Sequence, residues 1–154
     1  MKPLKLVTLL IVALVFQSGI SQNLSVFNDQ ELSFGSFYVL GATGGSLSVS
    51  NTGIRSTTGN IQEVNSSFLV SAFTLSTDSV NPVNITISSS PTTLSNGVGD
   101  TMSLEAGISN PANPVVQAGS PIQIFIGGTV TVAGEIPAGD YSGELFITFS
   151  IMSE

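Results

Sequence analysis

The sequence predicts an all-β domain, a single immunoglobulin-like Greek-key β-sandwich of about seven to nine short strands, with a closed β-barrel as the alternative. Three observations predict it. Apolar residues alternate with Ser and Thr at period two in one window after another, which marks half-buried strands. No window beyond residue 22 carries an apolar period of 3.6. The alternating runs are separated by NTG, TTGN, SNGVGD, SNPANP, AGSP and PAGD, all turn chemistry: Gly supplies positive φ, Pro presets φ, and Asn or Asp bonds its own backbone. With no Cys and no Trp, the chain lacks the hallmarks of true immunoglobulin domains.

The elements follow in chain order. Residues 1–21 read as a cleaved secretory signal peptide: two lysines in MKPLK, an apolar run LVTLLIVALVF, then the small and polar QSGIS, with Gly19 and Ser21 before the scissile bond. The apolar run falls short of the roughly 20 residues that a membrane-spanning helix needs. Residues 22–154 then form one β-sandwich domain. NLSVF offers Leu24 and Val26 as a short strand able to pair with an edge, and GSLSVS sets Leu47 and Val49 on one face. FLVSAFTL, residues 68–75, is apolar in both phases, as a central strand is. Val83, Ile85 and Ile87 share a face in PVNITISSS, and Met102, Leu104 and Ile108 share one in TMSLEAGI. In PIQIFIGGTVTV, Gly127 and Gly128 read as a bulge or bend that carries one strand (Ile122, Ile124, Ile126) into the next (Val130, Val132). The chain closes on a long strand with Tyr141, Gly143, Leu145, Ile147, Phe149 and Ile151 on one face, interrupted by Phe146 and Met152 on the other. Gly139 and Gly143 serve its turn and close sheet approach, and the strand is read as completing this chain rather than a neighbour.

Charge and composition exclude several functions. Without Lys2 and Lys5 the mature chain sets ten carboxylates against one cation, Arg55, a formal side-chain charge of −9. Nucleic acid is excluded as a partner, since nothing basic is present to displace counterions from phosphate. The absence of His and Cys removes the usual general base, the thiolate nucleophile and most transition-metal sites, so neither an enzyme nor a cofactor is expected. Asp29 and Glu31 are the one pair of acids close in sequence, and sugar-stacking aromatics are scarce: Tyr38 and Tyr141 are the only tyrosines. SNGVGD brings a single acid, Asp100, too few oxygens for tight calcium binding.

A few residues stand out. Arg55, in NTGIRSTTG, reads as a structural clamp on loop carbonyls or on Glu63 or Asp100, against the alternative of an anion contact on a ligand. Tyr141 reads as a corner tyrosine whose ring is buried and whose hydroxyl returns to the backbone. Ser79 in DSV and Thr101 in DTM match an Asp-Ser/Thr-apolar pattern for O-glycosylation, while NLS, NSS and NIT are formal N-acceptors; in a chain this rich in Ser and Thr such matches also arise by chance.

LSFGSF (32–37), GGSLSVSNTGIRSTTG (44–59), GDTMSLEAG (99–107) and above all IFIGGTVTVAGEIPAGDYSGELFITF (124–149) resemble the successive blocks of a bacterial exported β-domain family, domain of unknown function 4402. Ser71 stands where the family pattern has alanine. The resemblance implies a secreted or surface β-sandwich and no catalytic residue. The expectation is therefore a non-enzymatic, exported structural module of a bacterial envelope, extracellular or at the cell surface with the periplasm as the alternative, such as a fibre or adhesive-layer subunit. It would meet copies of itself or other envelope proteins through its edge strands. The alternative is a surface binding module for a glycan or protein partner.

Overall fold

The computed structural model describes residues 23–64 and 67–152; the leader and the acceptor Asn65 lie outside them. The described residues contain no helix and twelve strands: β1 (Leu24–Gln30), β2 (Phe37–Val39), β3 (Gly45–Val49), β4 (Arg55–Gly59), β5 (Ile61–Glu63), β6 (Ser71–Thr77), β7 (Val83–Ser89), β8 (Thr92–Ser95), β9 (Thr101–Asn110), β10 (Val115–Val116), β11 (Ile122–Val132) and β12 (Ile147–Ile151). The number exceeds the expected seven to nine because β2, β5 and β10 are ribbons of two or three residues, too short to show a period in sequence.

The architecture is an all-β sandwich in which the large sheet curls into a half-barrel. Its spine is β11. One edge of β11 carries β9, with β8 outside it; the other edge carries β6 along Ile122–Ile126 and then β3 along Gly128–Val132. β1 lies outside β6, and β4 lies outside β3. A second sheet, β10-β7-β12, faces the first, and β2 pairs with β5 in a ribbon. Every pairing between these strands is antiparallel.

The double glycine does not divide β11, which runs unbroken through it. It is where β11 exchanges one neighbour for another: the end of β3 packs so closely that a Cβ on Gly127 would overlap the Val49 carbonyl oxygen. The bulge sits opposite, in β9, where Ile126 pairs with Ser109 and Gly128 with Ala106. The extra residue inverts the alternation of β9 beyond Ala106. Ser109 therefore turns inward, and Ile108, expected in the core with Met102 and Leu104, is 76% exposed.

The concave face of the large sheet holds two apolar clusters, divided at Gly127. Leu75, Val83, Ile85, Val116, Ile124 and Ile126 form one, closed by the second sheet, with the Phe73 and Phe149 rings 5.3 Å apart across the two layers. Leu47, Val49, Ile61, Met102, Leu104, Val130 and Val132 form the other with Phe34. Its cover is the short β2–β5 ribbon, through Phe37 and Val39, together with irregular chain: Leu32, the strip Phe68–Val70 that the sequence reading assigned to a strand, and Ile136, Tyr141 and Leu145. Each fully buried Leu or Ile contributes about 1.5–3 kcal/mol. On the convex face the hydroxyls bond across strands, Ser46 to Thr58 at 2.7 Å and Ser48 to Thr129 at 2.8 Å, which satisfies polar groups where the alternation points outward.

The closing strand is shorter than expected. β12 begins at Ile147 and pairs with β7 of its own chain; Tyr141–Phe146 turns Tyr141 and Leu145 inward, leaves Ser142–Glu144 exposed, and finds a ladder partner only at Ser142, bridged to Ser95. Alternation sets which side chains face inward, and pairing requires in addition an edge within reach.

Candidate functional site

A cleft of about 940 Å³ opens over the loop-covered cluster, and its walls come from the two ends of the described chain. Asn28, Gln30 and Glu31, at the end of β1, form one wall, and Gly143–Ile147, leading into β12, forms the other. Phe34, Phe73, Met102, Leu104 and Val130 lie at its base, all but Phe73 buried. Both strands flanking the cleft end their sheets, since β1 pairs with β6 alone and β12 with β7 alone. They are neighbours in space without sharing a ladder. Among the described residues, the main-chain groups of Gly143–Phe146 have no hydrogen-bond partner within the chain. Gly143, Glu144 and Phe146 are exposed, so these groups are within reach of water or of another strand.

The electrostatics of the cleft are one-sided. Glu31, Asp140 and Glu144 line it, all exposed, and no cation does. Arg55 lies elsewhere: its side chain is 2% exposed, Nη2 donates to the Ser36 carbonyl at 2.9 Å, Nη1 is 4.0 Å from Glu63 Oε2, and the guanidinium sits 5.8 Å from the centre of the Phe68 ring. It ties β4 to β5 and to the chain around Ser36, and Asp100 takes no part. Both tyrosines line the cleft. The Tyr141 hydroxyl donates to the Pro137 carbonyl at 2.9 Å and accepts from Asn96 Nδ2 at 3.4 Å, holding the irregular wall to the turn before β9.

The remaining singled-out residues fall in several places. Gly143 has a steric reason to be glycine, because a Cβ there would overlap the Thr93 carbonyl oxygen. A Cβ on Gly128 would press on Leu32 Cδ2 and Glu105 O, at 2.9 and 3.0 Å. At Gly139 it would meet only Asn96 Cβ at an ordinary 3.9 Å, and the φ is not left-handed, so close approach does not explain that glycine. Ser79 is 8% exposed and its Oγ donates to the Asn81 carbonyl, which removes it as a surface acceptor on the folded chain; Thr101 is exposed. Asp100 accepts from Asn96 Nδ2 within a turn closed by Asn96 Oδ1, and the described residues hold no group of three metal-ligating side chains. Asp29 accepts from Thr74 Oγ1, apart from Glu31 in the cleft. At the start of β1, Asp78 accepts from the Asn23 backbone N–H and from its side-chain amide, both at 3.0 Å, and these bonds hold its carboxyl below the ordinary carboxylate value.

Sequence reasoning missed the acidic wall, Asp140 and Glu144. The signal that could have found it is Phe146, an apolar residue in the outward phase of a pattern that is otherwise regular. No helix among the described residues is long and apolar enough to cross a membrane. No curated protein and no solved structure matches the chain. Residues 24–150 match the family described as Domain of unknown function (DUF4402), and the chain, matched from β1 almost to the end of β12, belongs to that family.

Proposed function

We propose that this chain is a non-enzymatic structural module of a bacterial envelope, exported to the cell surface, that joins its neighbours by lending and receiving sheet edges. The observation that carries the reading is the pair of open edges, β1 and β12, beside a cleft whose wall has unpaired main chain at Gly143–Phe146. Edges of this kind are templates for another strand, and soluble proteins usually blunt them. Here the blunting is slight: β1 exposes Phe27 (68%) and Val26, and the β12 side exposes Phe146. The composition supports the same reading, since it offers neither His nor Cys for group chemistry. The leader-like residues 1–21 support export.

Electron microscopy of the producing cells tests the proposal. Deleting the gene should remove a filament or coat from the surface, and restoring it should bring that structure back. An unchanged surface, with the protein secreted as a free monomer, would sink the assembly reading.

A further inference from the structure

We infer that the cleft between β1 and β12 receives an extended cationic segment of a different protein, which adds as a strand along Gly143–Phe146. The inference rests on the assembly reading above and names the partner for one of its edges. The main-chain groups of Gly143–Phe146 supply the ladder, and the half-buried Leu32, Phe73 and Ile147 along the cleft supply an apolar surface for alternate side chains, which is how strand addition obtains affinity and register.

Charge selects the class of partner. Glu31, Asp140 and Glu144 stand around the cleft and no base lines it. A second copy brings the wrong charges. Its own open-edge strand, LSVFNDQ, carries Asp29 and no base, and its only cation beyond the leader, Arg55, is buried against Phe68. Two mature chains at −9 each also repel at long range. A strand alternating apolar residues with Lys or Arg fits both surfaces: apolar side chains go down onto the apolar surface and basic ones outward to the acidic rim.

The probe is a synthetic peptide of about twelve residues alternating valine and lysine, long enough for one strand. Two controls accompany it: a version with glutamate for lysine, and one of identical composition with the valines and lysines in separate blocks. Because both tyrosines line the cleft and the chain has no Trp, intrinsic tyrosine fluorescence of the mature protein reports occupancy. Amide hydrogen exchange reports whether a ladder forms. Expected are a saturable fluorescence change with the alternating lysine peptide, slowed exchange at Gly143–Phe146, and no binding of the glutamate version. The exposed double variant Asp140→Asn/Glu144→Gln should weaken binding about three- to tenfold, as two rim charges do. Equal binding of the block peptide, or binding without slowed exchange, would overturn the inference by reducing it to charge attraction. No binding would overturn it as well. Self-association that protects the same amides without peptide would overturn it in favour of a second copy. Failure of the peptide with loss of the surface structure on gene deletion would leave the assembly reading standing; binding with an unchanged surface would remove that reading instead.

Discussion

The two apolar clusters share a sheet face and a central strand, yet they are closed by different means. Around Ile124 a second sheet covers the first, the Phe73 and Phe149 rings meet across the layers, and β7 is paired on both sides. Around Leu47 and Val130 the cover is the short β2–β5 ribbon and irregular chain, held down by particular side chains: Arg55 at one side, Tyr141 and Asn96 at the other. The regular end spends its main-chain hydrogen bonds internally. The irregular end leaves some facing a cleft, and so retains a means of meeting another molecule. The boundary between the two is Gly127.

The most damaging way to break this arrangement is at the boundary itself. In Gly127→Val the side chain would need the space of the Val49 carbonyl and the adjoining backbone of Ser50, and neither is the free end of a flexible group. We expect a loss of about 4 kcal/mol or outright failure to fold, read from urea denaturation, because overpacking against backbone has no cheap relaxation. The next largest effects compare the two ends directly. Ile124→Ala and Leu47→Ala each remove a fully buried side chain, and such truncations cost about 2–5 kcal/mol. Ile124→Ala should lie nearer the upper figure, since two sheets cannot collapse onto the cavity, and Leu47→Ala nearer the lower, since loops can. Equal losses would mean that the irregular cover is as rigid as the sheet.

How much of this could be read beforehand follows the same division. Periodicity located the strands whose faces differ: Leu47 and Val49, Val83 and Ile85, Met102 and Leu104 are all buried as their alternation implies. It failed where partners, rather than faces, decide. Ile108 keeps the parity of Met102, but the β9 bulge reverses it, and no local feature separates a bulge at Gly107 from a plain strand glycine. Tyr141–Phe146 has the alternation of a strand in its sequence and almost none of the pairing. The cleft depends on that missing pairing, a long-range property, so its acidic wall was not legible as a site.

Arg55 sharpens the account of the irregular end. Arg55→Ala removes the link to the Ser36 carbonyl, the ion pair with Glu63 and the packing on Phe68. Removing one partner of a buried pair costs about 3–5 kcal/mol, but Glu63 is 41% exposed and water can take over its charge, so about 2 kcal/mol is expected. Arg55→Lys should lose about half of that, since an ammonium keeps the charge but not the planar fork. Denaturation midpoints measure both, and an alanine variant as stable as the parent would show that the cover is held by its apolar contacts alone.

The smallest expected effect concerns β1, the edge strand at the mouth of the cleft. Its start is fastened by Asp78, which accepts from the Asn23 backbone and side chain and is held below its ordinary value by those bonds. A carboxylate lowered on folding stabilises the folded state at pH values above its ordinary, unfolded value near 3.8; that contribution fades as the pH falls through the lower folded value. The group is fully exposed, so the effect is local and slight, and it is best read as a difference. Asp78→Asn should lower the denaturation midpoint slightly at pH 6, and the deficit should shrink at pH 2 as the parent carboxyl takes up its proton. Contributions shared by the two proteins cancel in that comparison. A deficit of the same size at both pH values would assign the effect to packing at the start of β1, and the strand would then be fastened to β6 by its ladder without help from this charge.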